Sequence, residues 1–291
     1  ADEASRRVLT EFLASRALGA TRNRMTGAAR FLPRPAAAKA LRRGPAGPWL
    51  PPFPGGTFDL VFEAEAITME SWALNIQACF FERQYYLERD GFAIRPEAGE
   101  VVLDLGGCFG DTALGFAASV GAAGRVVSFE PSRGNLAVFR RNLEMNPRLA
   151  PRIALVPQPA GAAAGEAVRF EEAAAGSRID AAGGTEHVTT SIDATVEALA
   201  LDRVDMIKMD IEGAELAALF GAAMTLQRWR PKLALACYHG WQVFELIAQL
   251  RRTLPEYRLF LAQHSMHAEE MVLYAAPEAR LSAPAATPAG R

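Results

Sequence analysis

VVLDLGGCFGDTAL, residues Val101 to Leu114, runs from apolar and β-branched positions into Asp104, Gly106 and Gly107, then through Gly110 into Asp111 and Thr112 at the start of a helical run. This is the pattern of a strand, a tight turn and a helix start. Glycine suits such a turn because it reaches φ > 0 and because a ligand can approach its bare backbone closely. The free N–H groups of the helix that follows attract the anionic end of that ligand.

Spacing selects among ligands. A dinucleotide fingerprint requires G-x-G-x-x-G, but a register begun at Gly106 meets Cys108 at the second glycine, and one begun at Gly107 meets Phe109. A nicotinamide dehydrogenase is therefore disfavoured. The strand RVVSFEP (Arg125 to Pro131) ends in Glu130, about 20 residues past the glycine turn, where a carboxylate can accept hydrogen bonds from both hydroxyls of a ribose. Helix Asn135 to Glu144 and a third strand, RIALVPQPA (Arg152 to Ala160), place Gln158 where an adenine ring can be read. Residues 161–189 form an Ala/Gly-rich insertion of unspecified shape, of the kind that commonly shapes an acceptor pocket.

Ser191 to Leu199 opens a helix that Ser191 or Asp193 can cap. VDMIKMDIEGAEL (Val204 to Leu216) is a buried strand carrying Lys208 and ending in Asp210, followed by a helix whose first turns hold Glu212 and Glu215. Period-two alternation puts Lys208 and Asp210 on one face. Charge in an apolar strand is costly unless paired or functional, so Asp210 is a site candidate. Lys208 is either a site residue or one half of a buried pair that positions the loop. A fifth strand, Pro231 to Trp241, carries His239 at its end, a group that titrates near neutral pH. Helix WQVFELIAQLRRTL and the closing strands YRLFLAQ and EMVLYAA complete the pattern, the two strands being close enough in sequence to pair antiparallel.

Outside this alternation the signals are weaker. Val8, Leu9, Phe12 and Leu13 make a helical apolar stripe within residues 1–30, which reads as packing. Prolines and glycines break regular structure from Phe31 to Gly56, so a boundary is placed between an extension (1–56) and the main domain (57–291). Trp72, Phe80, Phe81, Tyr85 and Tyr86 suggest a helix or two over residues 57–95, with Gln84 and Tyr85 close enough to the first strand to face a ligand.

The chain has 291 residues, half of them hydrophobic, enough for a full α/β core. A net charge of −2 argues against a nucleic-acid surface. Cys79, Cys108 and Cys237 show no C-x-x-C spacing, so no disulfide framework or zinc site is expected. No apolar run suits a membrane span, and the charged Asp2 to Arg7 lacks a signal core, so the expected location is cytoplasmic.

Asp104, Gly106 and Gly110 form a D-x-G-x-x-x-G that looks like the first motif of class I S-adenosylmethionine-dependent methyltransferases. With GDTAL (Gly110 to Leu114), SFEP (Ser128 to Pro131), NLEMNP (Asn142 to Pro147), SID (Ser191 to Asp193), IKMDIEGAE (Ile207 to Glu215), RPKLALACYH (Arg230 to His239) and VLYA (Val272 to Ala275), the chain resembles the FkbM family of these enzymes over about residues 80 to 276. The resemblance implies a Rossmann-like seven-stranded α/β sheet with its last strand antiparallel and helices on both faces, to which the composition of residues 1–56 adds an N-terminal helical extension.

It also implies methyl transfer from S-adenosyl-L-methionine to an oxygen on a sugar, glycan or secondary metabolite. Asp104, Gly106, Gly107 and Gly110 would hold the methionine end and the turn, Glu130 the ribose, Gln158 the adenine neighbourhood, and Asp210 would stand beside sulfonium and acceptor. Gln84, Tyr85, Asp111, Thr112, Pro131, Asn135 and Glu212 accompany them as cofactor-binding candidates, and Asp210, His239 and Lys208 are the catalytic candidates. Cys108 and Phe109 depart from related sequences. The expected partner is a small-molecule or saccharide acceptor, without nucleic acid, and a homo-oligomer is compatible with the pattern.

Asp210, Glu212 and His239 suit a divalent cation by residue type, but their spacing gives no ligand motif and no metal is expected. His187, His264 and His267 read as structural, with His264 on the sixth strand able to turn toward the pocket. N-methylation and a non-catalytic nucleoside-binding protein are the alternatives.

Overall fold

The computed structural model describes residues 2–19, 22, 25–26, 31, 34–47, 55–89, 91–173, 176–182, 184–265 and 269–282. Helix α1 (Glu3–Leu18) starts where the Asp2 carboxylate accepts the Ser5 N–H at 2.7 Å, an N-cap of the expected residue type. Phe12 is buried in the main core and Val8 and Leu9 pack against it, whereas Leu13 stays 36% exposed. The Pro/Gly-rich run is more ordered than its composition suggests. It contains α2 (Arg34–Ala40) and an edge strand β1 (Arg42–Pro45), while residues 48–54 lie outside the described residues.

Residues 57–71 correct the expected helix. Strands β2 (Gly56–Phe62) and β3 (Glu65–Ser71) form an antiparallel hairpin, with β1 along its edge. Phe58, Leu60 and Phe62 alternate inward at period two, and Val61 points out at 74% exposure. Glu63 and Ala64, both at positive φ (49° and 63°), make the tight two-residue turn whose twist matches paired strands. The helical signal belongs to the next stretch, α3 (Ala73–Ile76), which runs into a wider π turn over Gln77–Phe81. A small hairpin of β4 (Leu87–Arg89) and β5 (Phe92–Ile94) leads to the main sheet.

That sheet alternates as expected: β6 (Val101–Leu105), α4 (Asp111–Val120), β7 (Arg125–Phe129), α5 (Arg133–Met145) and β8 (Ile153–Val156). The insertion follows, folded as its own three-stranded sheet of β9 (Ala167–Glu171), β10 (Arg178–Ile179) and β11 (Thr185–Val188). The chain then continues through α6 (Ile192–Ala198), β12 (Met206–Met209), α7 (Glu215–Phe220), α8 (Ala223–Trp229), β13 (Lys232–Ala236), α9 (Gln242–Thr253), β14 (Tyr257–Gln263) and β15 (Met271–Pro277).

Spatial order is β14-β15-β13-β12-β6-β7-β8, with β15 antiparallel to both neighbours. Alternate strand residues feed two cores. Leu103, Leu105, Ile207, Met209, Leu233 and Leu235 pack toward α1 and α6 to α9. Val102, Val126, Met206 and Ala234 pack toward α4, α5 and the N-terminal hairpin. A sheet covered on both faces leaves its strand ends as the place for a ligand.

Several boundaries move. The third and fifth strands are shorter than expected, which puts Gln158, Tyr238 and His239 on the loops beyond them. Ser191 caps α6, accepting the Ala194 N–H at 3.1 Å, while Asp193 instead reaches across to cap α8 through the N–H groups of Met224 and Thr225. Helix α7 starts only at Glu215, because Glu212 (φ 54°) and Gly213 (φ 101°) hold a left-handed turn that no α-helix continues.

Candidate functional site

A cavity of about 450 Å³ lies across the carboxyl ends of the parallel strands. Its floor is the turn after β6. Gly106 (φ 85°) lies so close to the next strand end that a Cβ there would collide with the Asp210 carbonyl oxygen. The N–H groups of Gly106 and Gly107 both donate to the Phe129 carbonyl, at 3.0 and 2.9 Å, which pins the turn to β7. Cys108 takes φ 46° without being glycine and turns its own N–H onto Glu130 Oε2 at 2.8 Å.

The structure gathers most of the expected residues on this cavity: Gln84, Tyr85, Gly106, Gly107, Asp111, Thr112, Glu130, Pro131, Asn135, Gln158, Lys208, Asp210, Glu212 and His239. Asp104 and Gly110 are not on its wall. Asp104 is fully buried and accepts from Thr112 Oγ1 (2.9 Å) and Ser128 Oγ (2.8 Å), with Lys208 Nζ at 3.1 Å. Lys208 in turn donates to the carbonyls of Leu105 (3.1 Å) and Gly106 (2.7 Å). Burial works against its charge, but Asp104 and Asp210 outweigh that and raise its pKa. This pair therefore shapes the floor from behind. Gly110 (φ 88°) caps α4, with Phe139 where a side chain would go.

Glu130 stands at the end of β7, buried, its two oxygens accepting the N–H groups of Cys108 and Ser132 at 2.8 Å each. Burial pushes its pKa up to about 7 against those hydrogen bonds. Asp111, at the first turn of α4, is pushed up to about 6 by burial, opposed by donors on Ser71 and Asn75.

At the other end, Asp210 Oδ2 accepts Tyr85 Oη at 2.7 Å, and Tyr238 Oη donates to Oδ1 at 3.3 Å. His239 Nε2 lies 3.2 Å from Glu212 and 3.8 Å from Asp210, and Nδ1 lies 3.4 Å from Glu215, all at ion-pair distance but off hydrogen-bond alignment. Burial opposes its protonation, yet the Glu212, Glu215 and Asp210 carboxylates push its pKa up to about 11. Ligand atoms of Asp210, Glu212 and His239 all fall within 4.8 Å of one another, a grouping that the fold creates and that their sequence spacing hides.

Three further residues belong here to which the sequence pattern assigns no role. Tyr238 shares the face of Lys208 and Asp210, because Lys208 registers with Ala234 and parity carries Ala234 to Tyr238; that signal was available. Glu270 had no local signal. It reaches the cavity because β15 runs opposite to the other strands and so begins where they end. Its carboxylate accepts Gln84 Nε2 at 2.5 Å, and burial together with the Asp210 charge pushes its pKa up to about 7. Arg16 also arrives from α1, donating to the Tyr238 carbonyl at 2.6 Å.

The remaining candidates sit apart. His264 shares a 2.9 Å hydrogen bond with Tyr274 Oη, which accepts the Tyr85 N–H at 3.1 Å, so it buttresses Tyr85 from behind. His187 packs on Phe170, and His267 lies outside the described residues. The three cysteines are free thiols, and burial raises the pKa of each. Among the described residues, no helix is long and apolar enough to cross a membrane.

The family model described as the methyltransferase FkbM domain matches residues 104–263. The chain belongs to the FkbM methyltransferase family. Among solved structures, it is similar to a methyltransferase FkbM from Methylobacillus flagellatus KT, with 27% identity and a TM-score of 0.50 over 60% of this chain and 43% of that one. It thus spans less than half the length of that protein. It is also similar to the O-methyltransferase from Bacillus cereus in complex with SAH (13% identity, TM-score 0.42, 86% of this chain and 89% of that one). A third is the precorrin-6y C5,15-methyltransferase from Geobacter metallireducens GS-15 (12% identity, TM-score 0.42, 63% and 84%). No curated protein matches the chain. The seven-stranded sheet with β15 antiparallel is the Rossmann-like methyltransferase fold.

Proposed function

We propose that this FkbM-family chain uses S-adenosyl-L-methionine to methylate a hydroxyl on a sugar, glycan or secondary metabolite. The observation that carries the reading is one cavity with Glu130 at one end, Asp210 at the other and the bare Gly106–Gly107 backbone between them. The residues fit such a cofactor. With the N–H groups of Cys108 and Ser132 and the Asn135 side chain already on Glu130, at least one of a carboxylate's about four acceptor sites is left for a ribose hydroxyl. The glycine turn and the α4 N-terminus border the middle of the cavity, where the methionine end would lie.

When bound, the sulfonium supplies a methyl group already activated for displacement. The chain has to align the acceptor and take its proton. Asp210 is the proposed base. Tyr85 and Tyr238 donate to its carboxylate and fix its rotamer, leaving lone pairs toward the cavity. His239 stays protonated well above neutral pH, so in this reading it orients the acceptor and balances Asp210 and Glu212 instead of accepting a proton. Lys208, an ammonium held by Asp104, positions the floor.

Incubation with labelled S-adenosylmethionine and a panel of hydroxyl- and amine-bearing acceptors tests the proposal. Label on oxygen is expected. Label on nitrogen would replace the reading with N-methylation, and cofactor binding without product over the panel would favour a sensor.

A further inference from the structure

We infer that the insertion between β8 and α6 is the adenine wall of the cofactor cavity, with Phe170 and Ile179 on one side of the base, and not part of the acceptor pocket. This rests on reading the cavity as an S-adenosylmethionine site. Phe170 and Ile179 are direct cross-strand partners of β9 and β10, so both side chains leave the same face of the small sheet. Both line the cavity.

The insertion is tied down on either side of Glu130. At one root, Gln158 Nε2 donates to the Val188 carbonyl at 3.2 Å and the Gly161 N–H to the Thr190 carbonyl at 2.9 Å. On the other side, Glu172 accepts from Ser132 Oγ at 3.3 Å and the Arg133 N–H at 3.4 Å, while the Ser132 N–H holds Glu130. A ribose clasped by Glu130 would therefore present its base to this sheet.

Topology separates the insertion from the reacting end. It follows β8, three strand positions from β12, which at about 4.8 Å per strand is roughly 14 Å from the Asp210 strand end. That span suits the two ends of one nucleoside cofactor. The surface also suits a flat heteroaromatic ring: Phe170 and Ile179 are joined there by Pro131, Pro159 and Ala160, with Gln158 at the polar edge. Phe170 is 3% exposed and already fixed, whereas Ile179 is 38% exposed and would be covered by a ring laid over the face the two share.

Calorimetry on the full chain with S-adenosylhomocysteine and with adenosine tests this. Phe170→Ala is expected to weaken both ligands by a similar factor of roughly 5 to 10, the low end of the range for a base–aromatic contact because the ring is already almost wholly covered. Ile179→Ser, at a site exposed enough not to disturb folding, is expected to weaken both about 3- to 10-fold through lost apolar contact. Wild-type binding of S-adenosylhomocysteine with both variants within twofold of it would overturn the inference alone, as would a loss confined to S-adenosylhomocysteine with adenosine unaffected. If the wild-type chain bound neither ligand, the cofactor reading would fail and this inference with it.

Discussion

Glu130→Gln removes one charge at the point where the ribose is proposed to sit. The carboxylate is buried, takes two backbone N–H bonds at 2.8 Å and is pushed up to about 7 by burial, so it is poised between its two forms near neutral pH. Hydrogen bonds to a charged group contribute about 1.5 to 3 kcal/mol, which sets the expected loss of S-adenosylhomocysteine affinity at roughly 10- to 150-fold. The wild-type chain should also bind best above pH 7 and lose affinity toward tenfold per unit well below it, because protonation removes acceptor capacity. The variant should lack that slope. Stability runs the other way. The folded pKa lies above the ordinary carboxylate value of 4.5, so this group's contribution is complete below 4.5 and is lost as pH rises through about 7, roughly 3 kcal/mol in all. The cofactor-free melting temperature should therefore fall less between pH 5 and 8 in Glu130→Gln than in wild type. Calorimetry across pH 5.5 to 8.5 and parallel thermal melts read both effects. A variant that binds within twofold of wild type, or a flat wild-type profile, would remove Glu130 from the site.

Asp210→Asn should lower turnover by about 10²- to 10⁴-fold, the usual share of a general base, while the affinity for S-adenosylhomocysteine changes little; an unaltered rate would leave Asp210 structural. Asp104→Asn strips the anion from a buried Lys208, and breaking such a pair should cost about 3 to 5 kcal/mol in urea denaturation, with a loss under about 1 kcal/mol contradicting its place behind the glycine turn. Treatment with EDTA is expected to leave turnover unchanged, because the His239 imidazolium already balances the carboxylates around it. Restoration of a lost rate by Mg²⁺ or Mn²⁺ would instead make Asp210, Glu212 and His239 a cation site.

The main sheet was legible because each strand carries its own evidence. Strands buried on both faces, such as Val101 to Leu105 and Met206 to Met209, read as apolar runs interrupted by one charge each (Asp104 and Lys208), and the glycine turn marks where the chain reverses. The hairpin over Gly56–Ser71 departs from the helix expected there because aromatic residues from Trp72 to Tyr86 dominate the window. Its own alternation of Phe58, Leu60 and Phe62 is period two, and its turn uses Glu63 and Ala64 at positive φ in place of the usual glycine or asparagine. No residue-type rule marks such a turn.

The site divides along the same line. Glu130, Lys208 and Asp210 end or occupy parallel strands, so counting along one strand finds them and parity assigns their face. Arg16 and Glu270 reach the cavity through contacts made far along the chain, α1 docking on β14 and the reversed direction of β15, while Tyr85, expected there from its place ahead of the first strand, is fixed by its hydroxyl on Asp210. The parallel strands therefore supply the part of the cavity proposed for the cofactor, and the elements that cross or cap them supply much of the wall around Asp210. If the acceptor is read there, its identity resides in the tertiary arrangement of Tyr85, Tyr238, His239 and Glu270. That explains why the residues that resemble a family led to the reaction class and stopped short of the substrate.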